Sequence, residues 1–122
     1  MFFIIFLKKL EDMFILGYNY RVRCPKEGTI MILTADIGNT NITLGAFKND
    51  KILWIARLAT ERQRTSDQYA TELSAIMNMK SDSASFSGAI ISSVVPELTD
   101  VFKNAVKAIT GCEPLIVAAG LK

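Results

Sequence analysis

The chain has 122 residues, 50% hydrophobic and 21% charged, a globular composition long enough for one domain with a real core and without the signature of disorder. The formal net charge of +2 resides entirely in residues 1–30, and the other 92 residues sum to zero, which excludes the electrostatic footprint of a nucleic-acid binder. There is no histidine, so His-based acid–base catalysis and His-containing metal sites are excluded within this chain.

The first thirty residues carry no sustained period. Phe2–Leu7 is an apolar run too short to span a membrane, and Lys8-Lys9 follows it rather than preceding it, the wrong order for a signal peptide. Met31 opens the first clean strand pattern. Codons for Lys26-Glu27-Gly28 can spell a bacterial ribosome-binding sequence just upstream of it. Residues 1–30 are therefore expected to be a leader outside the natural protein, with the domain proper at 31–122. Cys24 and Cys112 stand far apart and in no metal or redox spacing.

Met31–Ile37, Ile42–Phe47 and Ile52–Leu58 read as three strands joined by short turns, an antiparallel meander. Alternation in the third places Ile52, Trp54 and Leu58 on one face, with Leu53 and Ile55 on the other. Asn49-Asp50 marks the second turn. The first turn is the informative one. In Asp36-Ile37-Gly38-Asn39-Thr40-Asn41-Ile42-Thr43 a Gly-Asn pair signals a hairpin, and Gly38 is expected to take the positive φ of a primed turn.

That turn also gathers backbone N–H groups, the Thr40 and Thr43 hydroxyls and the Asn39 and Asn41 amides, a donor-rich concavity suited to phosphate oxygens. Asp36 opposes a phosphate unless a cation intervenes. At ~4 Å and an effective dielectric of ~20, the repulsion is about 4 kcal/mol per charge pair. A Mg²⁺ ion reverses the sign, and Mg²⁺ is commonly held by one or two carboxylates plus substrate phosphates. A plain hairpin with a polar tip satisfies the same pattern, and the two readings are compatible.

Further along, Thr65–Gln68 is a capping box. The helix after it carries Tyr69, Leu73, Ile76 and Met77 on one stripe. Met77 and Met79 read as core fillers. Ser81–Ser87 is a Ser-rich loop, and Ala89–Val95 a buried strand whose Ser92 and Ser93 take structural roles at its end. Pro96 suits the start of a second helix with the stripe Leu98, Val101, Phe102, Ala105, Val106 and Ile109, stopped by Gly111. Leu115–Ala118 is a last strand. Arg57, Arg62 and Arg64 read as a solvated strand end and helix-entry loop, with contact to phosphate or to a second subunit as the other reading. The order βββαβαβ predicts an α/β fold: a mixed sheet built from the meander plus right-handed strand–helix–strand crossovers.

Met31–Gly45, with its Asp36-Ile-Gly-Asn-Thr-Asn-Ile-Thr core, resembles the opening of type III pantothenate kinases. The likeness continues collinearly through Arg57-Leu58-Ala59-Thr60, Arg64-Thr65-Ser66-Asp67-Gln68-Tyr69 and Ile90-Ile91-Ser92-Ser93-Val94-Val95-Pro96. The resemblance implies the actin, heat-shock chaperone and sugar-kinase superfamily, with this chain as the first of two ribonuclease-H-like domains around a nucleotide cleft. It implies ATP-dependent phosphorylation of pantothenate to 4'-phosphopantothenate, the first step of coenzyme A synthesis. It further implies a cytoplasmic homodimer that uses Mg²⁺ and a monovalent cation, K⁺ or NH₄⁺, and has no nucleic-acid or membrane partner. Residues Asp36, Ile37, Gly38, Asn39, Thr40, Asn41, Ile42 and Thr43 would form its first phosphate loop, with Asp36 toward the metal.

The chain departs from that family in one large respect. The family's catalytic aspartate sits in a Gly-x-Asp-Arg motif, and its second phosphate loop reads Asp-x-Gly-Thr; neither motif occurs here. Val117-Ala118-Ala119-Gly120-Leu121-Lys122 follows only part of the family's Val-Gly-Pro-Gly-x-Lys-Thr-Gly, and Gln68 replaces the more usual Glu. No catalytic base is therefore assigned within the chain, which is expected to be an N-terminal fragment, inactive alone. The alternative is a non-catalytic phosphate-binding regulator. A mean hydropathy of +0.27 predicts self-association or aggregation of the isolated chain.

Overall fold

The computed structural model describes residues 31–49, 51–80 and 86–118. The leader assigned to residues 1–30, Cys24, Asp50, most of the Ser-rich loop and the closing motif residues 119–122 lie outside the described residues.

Five strands and two helices follow in the expected order: β1 Met31–Ile37, β2 Asn41–Lys48, β3 Lys51–Ala59, α1 Ser66–Lys80, β4 Gly88–Ser93, α2 Pro96–Thr110 and β5 Leu115–Ala118. They form one sheet in the order β3-β2-β1-β4-β5. The β1–β2 and β2–β3 pairs are antiparallel, whereas β1–β4 and β4–β5 are parallel. This is the mixed sheet the meander and crossovers require, and the α/β, ribonuclease-H-like expectation holds.

The strand period of two sorts the sheet into two faces. Leu33, Ala35 and Ile37 of β1, Ile42, Leu44 and Ala46 of β2, Trp54 and Leu58 of β3, and Ala89 and Ile91 of β4 join one core with both helices. Tyr69 and Leu73 of α1 and Leu98, Phe102, Ala105 and Val106 of α2 close it, and the rings of Tyr69 and Phe102 meet edge to face with centroids 5.3 Å apart. On the opposite face Ile32 and Ile90 are buried with Phe47, Leu115 and Val117 against them.

Local signals account for the helix ends. Gln68 N–H donates to Thr65 Oγ1 at 3.2 Å, and Thr65 N–H donates to Gln68 Oε1 at 2.8 Å, so the capping box forms with glutamine in the reciprocal role. Pro96 opens α2, and Gly111 closes it at φ 72° with its N–H on the Lys107 carbonyl at 2.9 Å.

Three expectations fail. Ile52 does not share a face with Trp54 and Leu58. A bulge pairs Ala46 with Trp54 but Phe47 with Ile52, so Leu53 is an extra residue that breaks the alternation, and both Ile52 and Leu53 are exposed. Met79 is no core filler: it is 78% exposed, because it lies off the Tyr69–Leu73 stripe that faces the sheet. Finally, Gly38 does not adopt a positive φ, and neither Asn39 nor Thr40 does, so the first turn is not of the primed type.

Candidate phosphate-binding site

The β1–β2 connection lies at the carboxyl ends of β1 and of its parallel neighbour β4, where ligands of α/β sheets usually bind. Ile37 and Ile42 pair across the neck of the turn, fully buried on the helix face. Of the eight loop residues, these two therefore serve as anchors, and only their backbones are available to a ligand. Asn39, Thr40 and Asn41 form the exposed tip.

Gly38 is favoured by close approach rather than by a positive φ. Its N–H donates to the Asn41 carbonyl at 2.9 Å, and a Cβ at this position would stand 3.0 Å from that same oxygen.

The loop's hydrogen bonds have a direction. The carbonyls of Gly38, Thr40 and Asn41 are all turned inward: Thr60 Oγ1 donates to Gly38 O at 2.7 Å, Thr60 N–H to Thr40 O at 2.9 Å, and Gly38 N–H to Asn41 O. Among the described residues the N–H groups of Asn39 and Thr40 meet no acceptor. Three of the four carbonyls of residues 38–41 are thus tied back to the protein, that of Asn39 excepted, while two N–H groups stay open at the tip, a polarity that favours an anion. The concavity is smaller than the sequence suggests, since the Gly38 N–H is consumed within the turn.

Asp36 follows from the sheet register. Cross-strand partners share a face, and Ser92, Asp36, Thr43 and Arg57 are paired in sequence across β4, β1, β2 and β3. This row lies opposite the helices. Ser92 is buried in it, Asp36 and Thr43 are half-buried, and Arg57 is exposed at the edge strand. Among the described residues no donor or cation pairs with the Asp36 carboxylate, and burial pushes its pKa above the ordinary value of 3.8. A desolvated carboxylate with no partner among the described residues, at the base of a loop with open N–H donors, fits a divalent cation. Among the described residues no cluster of three or more protein ligands could hold a metal, so Asp36 can supply only a share of a coordination shell. That donor set suits Mg²⁺ shared with phosphate oxygens better than a cation held by protein alone.

The arginines separate. Arg64 pairs with Glu61 and Glu72 and lies 5.7 Å over the Tyr69 ring, a structural role at the helix entry. Arg62 reaches the loop: Nη2 donates to Asn39 Oδ1 at 3.0 Å while Nε donates to Glu97 Oε1 at 2.9 Å. Ser93 binds the Val95 backbone in both directions, the structural role expected of it. Sequence reasoning missed Thr60 and the Arg62–Asn39 contact. Only the short Arg57–Thr60 motif hinted that the end of β3 matters to a loop twenty residues earlier.

The family profile described as type III pantothenate kinase matches residues 32–122. The chain belongs to the type III pantothenate kinase family. Type III pantothenate kinases of Finegoldia magna and Moorella thermoacetica are 43% and 36% identical to it over 93 residues, 75% of this chain in each case. The match covers 36% and 37% of those two proteins, so the chain spans little more than a third of their length. A ROK hexokinase from Thermus thermophilus superposes with a TM-score of 0.54 at 13% identity, covering 73% of this chain and 35% of that one, a likeness of fold alone. Among the described residues no helix is long and apolar enough to cross a membrane.

Proposed function

We propose that this member of the type III pantothenate kinase family is the ATP-phosphate-binding lobe of a pantothenate kinase. The loop Asp36–Thr43 binds the polyphosphate of ATP, and Asp36 would hold a Mg²⁺ ion that offsets the phosphate charge. The observation that carries this reading is the polarity of the loop. Three carbonyls are engaged inward, two tip N–H groups are open, and a half-buried carboxylate with no partner among the described residues lies in the adjoining row.

Phosphoryl transfer requires positioning, charge neutralisation and a group that orients the nucleophile. The chain supplies the first two in part. The family's Gly-x-Asp-Arg motif, which resemblance assigns to the third, is not within these 122 residues. The 122-residue chain alone therefore binds MgATP weakly and does not phosphorylate pantothenate. The reaction, pantothenate itself, a homodimer, the monovalent cation and a cytoplasmic setting belong to the assembled enzyme. Residues 1–30 stand outside this functional lobe.

Calorimetry with ATP, with and without Mg²⁺, tests the binding half. Mg²⁺-dependent binding that Asp36→Asn removes supports it, and binding indifferent to both contradicts it. Pantothenate phosphorylation by the pure chain, followed with γ-labelled ATP, would contradict the assignment of catalysis to residues outside it.

A further inference from the structure

Asn39 is an exposed side chain at the tip of a loop whose Gly38, Thr40 and Asn41 carbonyls are tied back to the protein. A free amide there offers its oxygen to a bound phosphate as readily as its nitrogen, and only one end is useful. Arg62 removes the choice. A guanidinium carries donors and no acceptor, so the end of Asn39 turned toward it must be the oxygen. Arg62 Nη2 lies 3.0 Å from Asn39 Oδ1, and its Nε is held by Glu97 Oε1 at 2.9 Å, so the planar fork is oriented from the first turn of α2. Both members of the ion pair are about half exposed, at 50% and 54%, so its contribution to stability is small and its effect is geometric. Arg62 also lines an open groove of about 550 Å³ with Glu61, Gln63, Arg64 and Gln68, which leaves the fork accessible beside the loop.

We propose that Arg62 is a positioning residue. By occupying Asn39 Oδ1 it turns the Asn39 Nδ2 donors outward, toward the phosphate of a bound nucleotide, and Glu97 holds the fork in place for this. The inference rests on the reading of Asp36–Thr43 as the phosphate loop.

The test is a double-mutant cycle on the full 122-residue chain, ¹⁵N-labelled and titrated with MgATP, with thermal unfolding to confirm that each variant folds. Arg62→Met and Asn39→Ala each weaken binding by about tenfold, and the double variant binds no more weakly than Asn39→Ala alone. Asn39→Asp keeps an acceptor for Arg62 and replaces the donors by an oxygen. It therefore loses binding even though it pairs more strongly with the guanidinium, while the non-additivity of Arg62→Met and Asn39→Ala is the readout that a purely structural contact would not produce. Unchanged affinity in Arg62→Met overturns the proposal, as do fully additive losses, which would place Arg62 on the phosphate itself. Asp36→Asn separates the layers. If it abolishes binding while Arg62→Met binds like the parent chain, only the role of Arg62 falls. If the parent chain shows no Mg²⁺-dependent response at the loop, the loop reading falls and the Arg62 proposal with it.

Discussion

Thr60 holds Gly38 from across the sheet: the hydroxyl at the end of β3 donates to the Gly38 carbonyl at 2.7 Å, and the Thr60 N–H takes the Thr40 carbonyl at 2.9 Å. One residue therefore points two loop acceptors away from the ligand side. Thr60→Val keeps the shape and the backbone bond but leaves the Gly38 oxygen without its donor. Denaturant unfolding should show a loss of about 1 kcal/mol, and MgATP binding should weaken as the freed carbonyl competes for the tip.

Asp36 places function and stability in opposition. Burial raises its pKa above 3.8, so between the unfolded and folded values the native state binds more protons than the unfolded state. Stability therefore falls as pH rises through that window and stays at its lower level above the folded value. Asp36→Asn removes this slope. Thermal unfolding across pH 3 to 8 should show the variant more stable than the parent at neutral pH, while Mg²⁺-dependent nucleotide binding is lost. A destabilised Asn variant at pH 7 would contradict the view of a carboxylate whose burial outweighs its compensation.

Glu97 moves the other way. Its own backbone N–H and the Arg62 guanidinium hold its carboxyl below 4.5. Its contribution is present above the unfolded pKa and lost as pH falls through the folded value. Loosening of Arg62 should accompany that titration, visible as an acid-side change in the Asn39 side-chain amide signal that Glu97→Gln abolishes.

The elements were legible because local and tertiary signals agreed: the Thr65–Gln68 box, Pro96 and Gly111 at the ends of α2, and the two helical stripes were all read from spacing. What was not legible depends on contacts between distant residues. The bulge at Leu53 is a register choice between β2 and β3 with no glycine to announce it. The Gly-Asn pair points to a positive φ at Gly38, whereas the structure places the Asn41 carbonyl against it at an ordinary φ. Thr60 and Arg62 act on residues twenty or more positions away, so no local pattern could assign them to the loop.

Gly38→Ala places a methyl group 3.0 Å from the Asn41 oxygen, a backbone atom already bonded to the Gly38 N–H. Relief requires the Asn41 carbonyl to shift by a few tenths of an ångström, which strains its bond to the Gly38 N–H. Destabilisation of about 1–3 kcal/mol is expected by denaturant unfolding, together with weaker MgATP binding.

Tyr69 links the core to the segment that carries Thr60 and Arg62. Its hydroxyl donates to the Glu61 carbonyl at 2.8 Å and accepts the Glu61 N–H at 3.0 Å, while its ring packs on Phe102. Tyr69→Phe preserves the packing and takes the acceptor from the Glu61 N–H, while the Glu61 carbonyl keeps the Arg64 N–H at 3.2 Å. A loss of about 1–3 kcal/mol in denaturant unfolding, with weakened MgATP binding despite the distance from the loop, is the expected result.

The most direct measurement follows the backbone amides of Asn39 and Thr40 by ¹⁵N–¹H NMR as ATP is added with and without Mg²⁺. Large Mg²⁺-dependent shifts confined to these amides and to the Ser92–Asp36–Thr43 row would confirm a phosphate loop with its cation at Asp36. Shifts that ignore Mg²⁺, or that fall elsewhere on the sheet while Asn39 and Thr40 stay still, would contradict it.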